Sequence, residues 1–307
     1  STSYNPLENK WSIINHSPGS RPDMTEDTSF NVMILPGEDD FSDHTSRPEN
    51  INGYSTVLDS EINYLSHSLA LFTRYSTMGS SLFLNTSLGL DFGPSVWRIF
   101  HQDLSTPFPD NAQFDLLIPN MDAGVFIHRA RSTNIIGNWS VIEHPLTDQN
   151  EDAIIFIAQV YNPGGVNPGT SNNHVVGVWY DGANWAVYNQ DSASMPSGSA
   201  FNVFIPLPGP NVFTHQANPG NSNANLTYLD HPDLNGNPYV SLLLTQNWNP
   251  GGIGGVYNDS PVYTAYDTES GRWVIGNERQ SPIPEGSSFN VFFKDTPETS
   301  FLPLFSR

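Results

Sequence analysis

Residues 185–203 read WAVYNQDSASMPSGSAFNV, and this phrase recurs through the chain. Each copy begins with a tryptophan, continues through alternating apolar residues and a turn rich in Pro, Ser and Gly, and ends in Phe-Asn-Val or a close variant. The four copies start at Trp11, Trp97, Trp185 and Trp273, so successive copies are 86, 88 and 88 residues apart. A constant period of this length indicates an array of equivalent structural units.

The phrase has the pattern of two β-strands joined by a turn. Trp185 and Val187 alternate with Ala186 and Tyr188, and an apolar period of two predicts a strand. The closing tripeptide stands at 30–32, 201–203 and 289–291, and its deviant copy is Phe114-Asp115-Leu116. Because no segment shows an apolar period of helical length, we predict an all-β fold class.

A longer module separates the phrases. It carries two histidines 16 residues apart, His128 and His144 in one copy and His215 and His231 in the next. An apolar strand follows, and it ends in an aromatic residue before Asn-Pro-Gly-Gly. We align the divergent first copy so that His44 matches His128 and His215, Asp59 matches Glu143 and Asp230, and Tyr75 matches Tyr161 and Trp248.

The repeats divide the chain into an N-terminal half-repeat (1–35), a divergent repeat (36–119), two further repeats (120–207 and 208–295) and a tail (296–307). We predict a tandem array of about three antiparallel β-sandwich or barrel-like repeats of 85–88 residues, with one surplus half-repeat. The alternative is one closed, propeller-like body, although propeller blades usually have ~40–50 residues. The incomplete half-repeat could offer a strand edge to a neighbouring chain.

The charge balance excludes several partners. The chain has 31 acidic and 11 basic residues, a net charge of −20, which repels phosphate backbones and anionic lipid. No apolar run approaches the ~18–20 residues that span a bilayer, so we expect neither nucleic acid binding nor membrane insertion. The chain lacks cysteine and begins at Ser1 without a signal-like segment, which fits a processed mature form.

Five Asn-x-Ser/Thr sequons favour a secreted, extracellular or cell-surface location. The candidate glycosylation sites are Asn15, Asn85, Asn138 and Asn225. The fifth sequon, at Asn258, is followed closely by Pro261. Asn-rich chains also generate sequons by chance.

Two kinds of metal site are candidates. The paired histidines, His128 with His144 and His215 with His231, each lie near an acidic residue and could converge across strands. Oxygen ligands for calcium occur at alternate positions in two loops, at Asp148, Asn150 and Asp152 and at Asp233, Asn235 and Asn237. The alternatives are hydrogen-bonded structural histidines and ordinary Asx-rich turns. We expect no cofactor to be required, with calcium as the one candidate.

The aromatic-Asn-Pro-Gly-Gly loops are candidate ligand sites. Tyr161 with Asn162, and Trp248 with Asn249, place a flat ring beside an amide, which suits the apolar face of a sugar. The alternative is that each ring covers the core of its own repeat. The four leading tryptophans, present in every repeat, are expected in the core.

The chain resembles an uncharacterised tandem-repeat β domain of secreted and cell-surface proteins, mainly bacterial. The resemblance rests on residues 213–215, 229–232, 247–252, 256–258 and 289–291. Residues 124–206 match nearly as well, and residues 36–119 match in outline. The resemblance implies an extracellular β domain and carries over no catalytic residue.

Our leading hypothesis is a non-catalytic extracellular structural or adhesive protein that assembles with itself, assisted by calcium. The alternative is a multivalent carbohydrate-binding, lectin-like protein with glycan partners, in which linked weak sites gain avidity. A hydrolase of an extracellular polymer is a weaker alternative, because the sequence contains no nucleophile elbow, zinc-protease motif or phosphate-binding glycine loop.

Overall fold

The computed structural model describes residues 2–5, 10–13, 40–58, 69–93, 96–119, 124–163, 169–252 and 254–295. The chain forms two compact units, Ser1–Gly37 and Glu38–Arg307. In the first unit, β1 (Thr2–Asn5) pairs antiparallel with β2 (Lys10–Ile13), and Trp11 lies opposite Tyr4. Asn15, Asp59, the tripeptide at 30–32 and the tail at 296–307 lie outside the described residues.

The second unit consists of three repeats, each with seven strands in the same order. The first repeat contains β3 (Asp40–Thr45), β4 (Ile51–Asn52), β5 (Ser55–Val57), β6 (Leu71–Tyr75), β7 (Leu88–Gly93), β8 (Val96–His101) and β9 (Gln113–Ile118). The second contains β10 (Val125–Arg129), β11 (Ile135–Ile136), β12 (Trp139–Val141), β13 (Phe156–Val160), β14 (Val176–Tyr180), β15 (Trp185–Asn189) and β16 (Ala200–Phe204). The third contains β17 (Val212–Gln216), β18 (Ser222–Asn223), β19 (Leu226–Tyr228), β20 (Val240–Asn247), β21 (Val262–Asp267), β22 (Arg272–Asn277) and β23 (Ser288–Asp295). The all-β class and the three repeats are therefore confirmed.

The strands form three seven-stranded sheets, and each sheet is shared between two repeats. The first sheet has the order β10-β16-β13-β7-β8-β5-β4, the second β11-β12-β15-β14-β20-β23-β17, and the third β18-β19-β22-β21-β6-β9-β3. Four strands of each sheet belong to one repeat and three belong to another. No helix in the described ranges is long and apolar enough to cross a membrane.

The repeats meet at three seams. At each seam, a strand of one repeat runs parallel to a strand of another repeat. The paired residues are Val160 with Leu90, Asn247 with Val178, and Tyr75 with Thr264. The third seam joins the last repeat to the first. The second unit is therefore closed cyclically by the strands of its own three repeats. In the closed-body alternative an N-terminal strand pair completes the last repeat, whereas β1 and β2 form a two-stranded sheet of their own.

The middle residue of the recurring tripeptide links the repeats around this closed arrangement. Asn202 Nδ2 donates to the Ala70 carbonyl, and Asn290 Nδ2 donates to the Ile155 carbonyl, both at 2.9 Å. In the deviant copy, Asp115 Oδ2 accepts from the Leu242 N–H at 3.0 Å. The largest core cluster accordingly contains equivalent residues of all three repeats, Leu71, Phe156 and Leu243.

The leading tryptophans are core residues wherever their side chains are described. Trp97, Trp185 and Trp273 are buried. The indole Nε1 of Trp185 donates to the Asn150 carbonyl at 2.7 Å, and that of Trp273 donates to the Asn237 carbonyl at 2.8 Å. The repeated tryptophan thus fixes the loop that precedes it in its own repeat, and the core prediction is confirmed for these three copies.

Strand register corrects one sequence alignment. The backbone N–H groups of Ser76, Tyr161 and Trp248 make equivalent bonds across the seams, to the carbonyls of Thr264, Leu90 and Val178 respectively. Ser76, not Tyr75, therefore matches Tyr161 and Trp248. The aromatic residue at 75 attracted the alignment, but a slip of one residue along a strand moves a side chain to the other face of the sheet. The alignment of His44 with His128 and His215 is confirmed, because they lie opposite Phe114, Phe201 and Phe289.

Candidate functional site

Three tryptophans lie outside the recurring phrase, and the fold brings all three together at the second sheet. Trp139 begins β12, Trp179 lies in β14 and Trp248 follows β20 directly. In β14, the neighbouring Val178 and Tyr180 belong to the core of the second repeat. Since side chains alternate between the two faces of a strand, Trp179 lies on the face turned away from that core. Trp139 and Trp179 come from the second repeat and Trp248 from the third, so the group spans a seam.

These tryptophans line a cavity of about 160 Å³ together with Asn138, Tyr188 and Tyr257. We call this cavity the aromatic pocket. Trp139 packs edge-to-face on Trp179, with ring centroids 5.1 Å apart, and Trp179 does so on Trp248 at 5.9 Å. Tyr257 contacts both Trp248, at 5.9 Å, and Tyr188, at 5.7 Å. Because Tyr188 is the cross-strand partner of Trp139, the five rings form a continuous series around the pocket.

Glycines shape two walls of the pocket. A Cβ atom at Gly255 would lie 2.2 Å from Cδ2 of Trp248, so the backbone there packs flat against the indole. A Cβ atom at Gly177 would lie 3.0 Å from Cε1 of Tyr188, its cross-strand neighbour. A larger residue at 255 would clash with both the ring and the backbone carbonyl of Trp248.

The lining is uncharged and poor in hydrogen-bonding partners. Within the described part of the chain, the indole Nε1 atoms of Trp139, Trp179 and Trp248 are buried and have no hydrogen-bond partner. Asn138 Nδ2 donates to the Asn189 carbonyl at 3.1 Å. Burial raises the pKa of the Tyr188 hydroxyl, so it is a neutral phenol at physiological pH. The pocket can therefore hold apolar groups and offers only a few polar contacts.

Of the ligand-binding residues that the sequence predicted, the structure places Trp248 in the pocket. Asn162 and Asn249 are buried, and each uses its amide to bind backbone groups, those of Phe92 and Tyr180. The ring of Tyr161 packs edge-to-face on Phe100 in the first sheet, with centroids 5.8 Å apart. The asparagines of the two loops thus bind the backbone in the same way, whereas the aromatic rings of the two loops contact different residues.

The first histidine of each pair contacts a side-chain hydroxyl inside the fold. The Nε2 atoms of His128 and His215 lie 2.9 Å from Ser140 Oγ and 2.8 Å from Thr227 Oγ1. His44 makes the same contact with Thr56, at 2.9 Å. Burial lowers the pKa of both His128 and His215 to about 4, so both imidazoles are neutral at physiological pH. This contact recurs in all three repeats, which favours the structural interpretation.

The second histidine of each pair stacks on a phenylalanine. His144 lies parallel to Phe126, with centroids 4.1 Å apart, and His231 packs on Phe213 at 4.8 Å. Burial lowers the pKa of His144, and the nearby Asp148 partly opposes that shift. Stacking on an apolar ring is a packing role, and it needs no metal.

The calcium candidates form local turns. Asp148 Oδ1 accepts from the His144 N–H at 3.2 Å, and Asn150 Nδ2 donates to the Leu146 carbonyl at 2.9 Å. In the third repeat, Asn235 Nδ2 donates to Asp230 Oδ1 at 2.8 Å, and Asn237 Oδ1 accepts from the Tyr239 N–H at 3.1 Å. Asp152 and Asp233 are exposed. Among the described residues, no three His, Asp or Glu side chains gather closely enough to hold a metal ion.

The sequons differ in accessibility. Asn85 is exposed, Asn225 is half-buried, and Asn138 lines the aromatic pocket. Asn258 is buried, and its amide binds Gln246 and Asn277, so it is closed to glycosylation in the folded chain.

Sequence reasoning missed four of the pocket residues: Trp139, Trp179, Tyr188 and Tyr257. A usable signal was present, because the chain has seven tryptophans and four of them begin the recurring phrase. The remaining three are the tryptophans that the fold gathers. Tryptophans outside the recurring phrase are not needed by every repeat, so they were candidates for a site.

Comparison with known proteins identifies a family. A family model described as "Domain of unknown function (DUF7452)" matches the chain three times, over residues 1–118, 87–205 and 183–293. Searches of curated proteins and of solved structures found no match. The three overlapping matches cover nearly the whole chain and follow the repeat seen in the sheets. The chain therefore belongs to the DUF7452 family, as a protein with three copies of that domain.

Proposed function

We propose that this protein is a non-catalytic, extracellular carbohydrate-binding protein and that its binding site is the aromatic pocket. The observation that carries the proposal is the meeting of Trp139, Trp179 and Trp248 with two tyrosines around one cavity. Sugar rings present C–H groups that pack on aromatic faces, and ligand pockets are mostly apolar with a few placed polar groups. Asn138 supplies such a polar group.

The repeats themselves provide a control for this interpretation. The positions equivalent to Trp139 and Trp179 are occupied by Ser55 and Asp91 in the first sheet and by Leu226 and Ala265 in the third. The same pairing forms with none of these aromatic rings, so folding does not account for them. Among the described residues, Trp139 and Trp179 have aromatic counterparts in neither of the other two sheets, which favours a single site in place of the two equivalent loops that the sequence suggested.

A glycan array followed by calorimetry on the intact chain tests the proposal. Trp179→Ala introduces the residue that the third sheet already carries at the equivalent position, and Trp248→Ala removes a second ring. We expect either change to reduce glycan affinity by about a hundredfold, since losing a buried aromatic contact costs about 2–3 kcal/mol. Tyr161→Ala, at the position equivalent to Trp248, is the matched control and should bind normally. Wild-type protein that binds no glycan would refute the proposal.

A structural or adhesive role, with self-assembly, stays the prediction made from the sequence. The folding of residues 1–37 as a separate compact unit is consistent with it. Light scattering and electron microscopy measure the assembly state. The samples are the full chain and a chain lacking residues 1–35, each with and without a calcium chelator. Large ordered assemblies that depend on residues 1–35 would support it, and assemblies unaffected by the truncation would contradict strand exchange.

A further inference from the structure

The aromatic pocket is a box of rings and not a flat platform. Trp139 and Trp179 are inclined at 83°, Trp179 and Trp248 at 89°, and Tyr188 and Tyr257 at 78°. The fourth pair, Trp248 and Tyr257, is inclined at 50°. None of the four pairs therefore offers a shared plane on which successive sugar rings of a chain could stack. A cavity of about 160 Å³ with such walls fits one protruding group of a ligand.

The polar atoms around the box define what that group must offer. Among the described residues that line the pocket, Asn138 alone lacks an aromatic ring. Its Nδ2 donates to the Asn189 carbonyl, which leaves Oδ1 as an acceptor. The three indole N–H groups and the Tyr188 hydroxyl are buried, so a ligand in the cavity does not reach them. A hydroxyl that faced only ring carbons would stay unpaired, at a cost of about 1–3 kcal/mol. The group is therefore largely apolar, with one donor.

We infer that the pocket takes the acetamido group of a terminal N-acetylhexosamine. The methyl group packs among the five rings, and the amide N–H donates to Asn138 Oδ1. This inference rests on the proposed carbohydrate-binding function and adds its specificity. A sugar with a hydroxyl in place of the acetamido group loses the methyl contacts.

Calorimetry on the full chain, with N-acetylglucosamine, glucose and choline as probes, tests the inference. We expect N-acetylglucosamine to bind at least about tenfold more tightly than glucose, because one methyl contact and one hydrogen bond together contribute more than ~1.4 kcal/mol. Choline is the competing probe, because a box of aromatic rings also attracts a quaternary ammonium. Choline has no N–H for Asn138 Oδ1 and is expected to bind weakly.

Variants at Asn138 separate the hydrogen bond from the rings. Asn138→Ala should weaken N-acetylglucosamine binding by about tenfold and leave glucose binding almost unchanged. Asn225→Ala, at the equivalent position in the third repeat, is the matched control and should have no effect on either affinity. Thermal unfolding of both variants checks that the fold is retained. Trp179→Ala should weaken binding of both sugars by about a hundredfold, as for larger glycans.

Each result decides between the inference and the function on which it rests. Equal affinity for glucose and N-acetylglucosamine, lost in Trp179→Ala, would overturn the acetamido inference and leave carbohydrate binding in place. Binding of choline without either sugar would overturn both and identify the pocket as a cation cage. Failure to bind any of the three probes would also overturn the inference, and the glycan array would then decide the proposed function separately.

Discussion

The side-chain amide of Asn249 pairs with the backbone of Tyr180 at both of its polar ends. Oδ1 accepts from the Tyr180 N–H at 2.7 Å, and Nδ2 donates to the Tyr180 carbonyl at 2.6 Å. Asn162 makes the same two bonds to Phe92, each at 2.8 Å. These amides lie just beyond the parallel strand pairs at two seams, so a side chain there continues the pairing between repeats.

Asn249→Ala should weaken the seam of the second sheet. The change removes two hydrogen bonds and leaves two backbone groups of Tyr180 buried without partners, so we expect a loss of about 2–5 kcal/mol in the free energy of unfolding. Urea denaturation monitored by tryptophan fluorescence measures this loss. The control is Thr77→Ala, at the equivalent and exposed position of the third seam, which should change stability by less than ~0.5 kcal/mol. Equal effects of the two changes would contradict the proposed role of the amide.

A buried ion pair marks the third seam, which closes the last repeat on the first. Arg74 Nε lies 3.6 Å from Glu278 Oε1, and their side chains are 4% and 1% exposed. Burial raises the pKa of Glu278 to about 7, and the charge of Arg74 opposes that rise. At the other two seams the equivalent residues are all glutamines: Gln159 and Gln246 in place of Arg74, and Gln102 and Gln190 in place of Glu278.

At pH 8, where Glu278 is ionised, Glu278→Gln alone should destabilise the second unit by about 3–5 kcal/mol, because it leaves the Arg74 charge buried and unpaired. The double change Arg74→Gln with Glu278→Gln restores the glutamine pair of the other seams, and we expect it to be near neutral. A double-mutant cycle in urea measures the coupling between the two residues. If the effects of the two single changes simply added, the pair would not be coupled.

Asp115→Asn should stabilise the protein at alkaline pH. Burial raises the pKa of Asp115 to about 7, above that of an unfolded aspartate, so its contribution to stability is lost as the pH rises from about 4 through 7. Asparagine occupies this position in the other repeats, at Asn202 and Asn290. We expect a gain of about 2–4 kcal/mol at pH 8 that shrinks toward pH 4. The reciprocal change Asn202→Asp should destabilise at pH 8 more than at pH 5. A gain independent of pH would contradict this account.

The buried histidines should make stability fall at acidic pH. Since burial lowers the pKa of His128 and His215 to about 4, the unfolded chain binds protons at higher pH than the folded chain. Their contribution is complete above about pH 6.5 and is lost as the pH falls toward 4, by roughly 3 kcal/mol for each histidine. His215→Asn should remove its share of that dependence. Urea titrations at pH 7 and pH 4.5 measure how the free energy of unfolding depends on pH in the variant and in the wild type. The opposite trend of Asp115 is present in both proteins, so it cancels when the two are compared. An unchanged pH dependence would refute the prediction.

Features that every repeat needs could be predicted from the sequence. The buried Trp185 and the Asn202 that follows it in the phrase recur because each repeat must fill the same core and make the same bond to its neighbour. The alignment of His44 with His128 succeeded for the same reason, since its hydroxyl partner also recurs. The alignment of Tyr75 with Tyr161 was wrong, because matching one aromatic residue to another does not show whether the strand register is shifted by one position.

The sequence by itself therefore determined the all-β class, the number of repeats and the core residues, since these depend on local alternation and on a period of about 88 residues. Only the tertiary structure decided that the repeats share sheets and close on one another. The reason is that parallel pairing at a seam, such as Val178 with Asn247, joins residues far apart in the chain and has no local signature. The aromatic pocket exists because that seam places Trp248 beside Trp179, so its position follows from the closure of the fold.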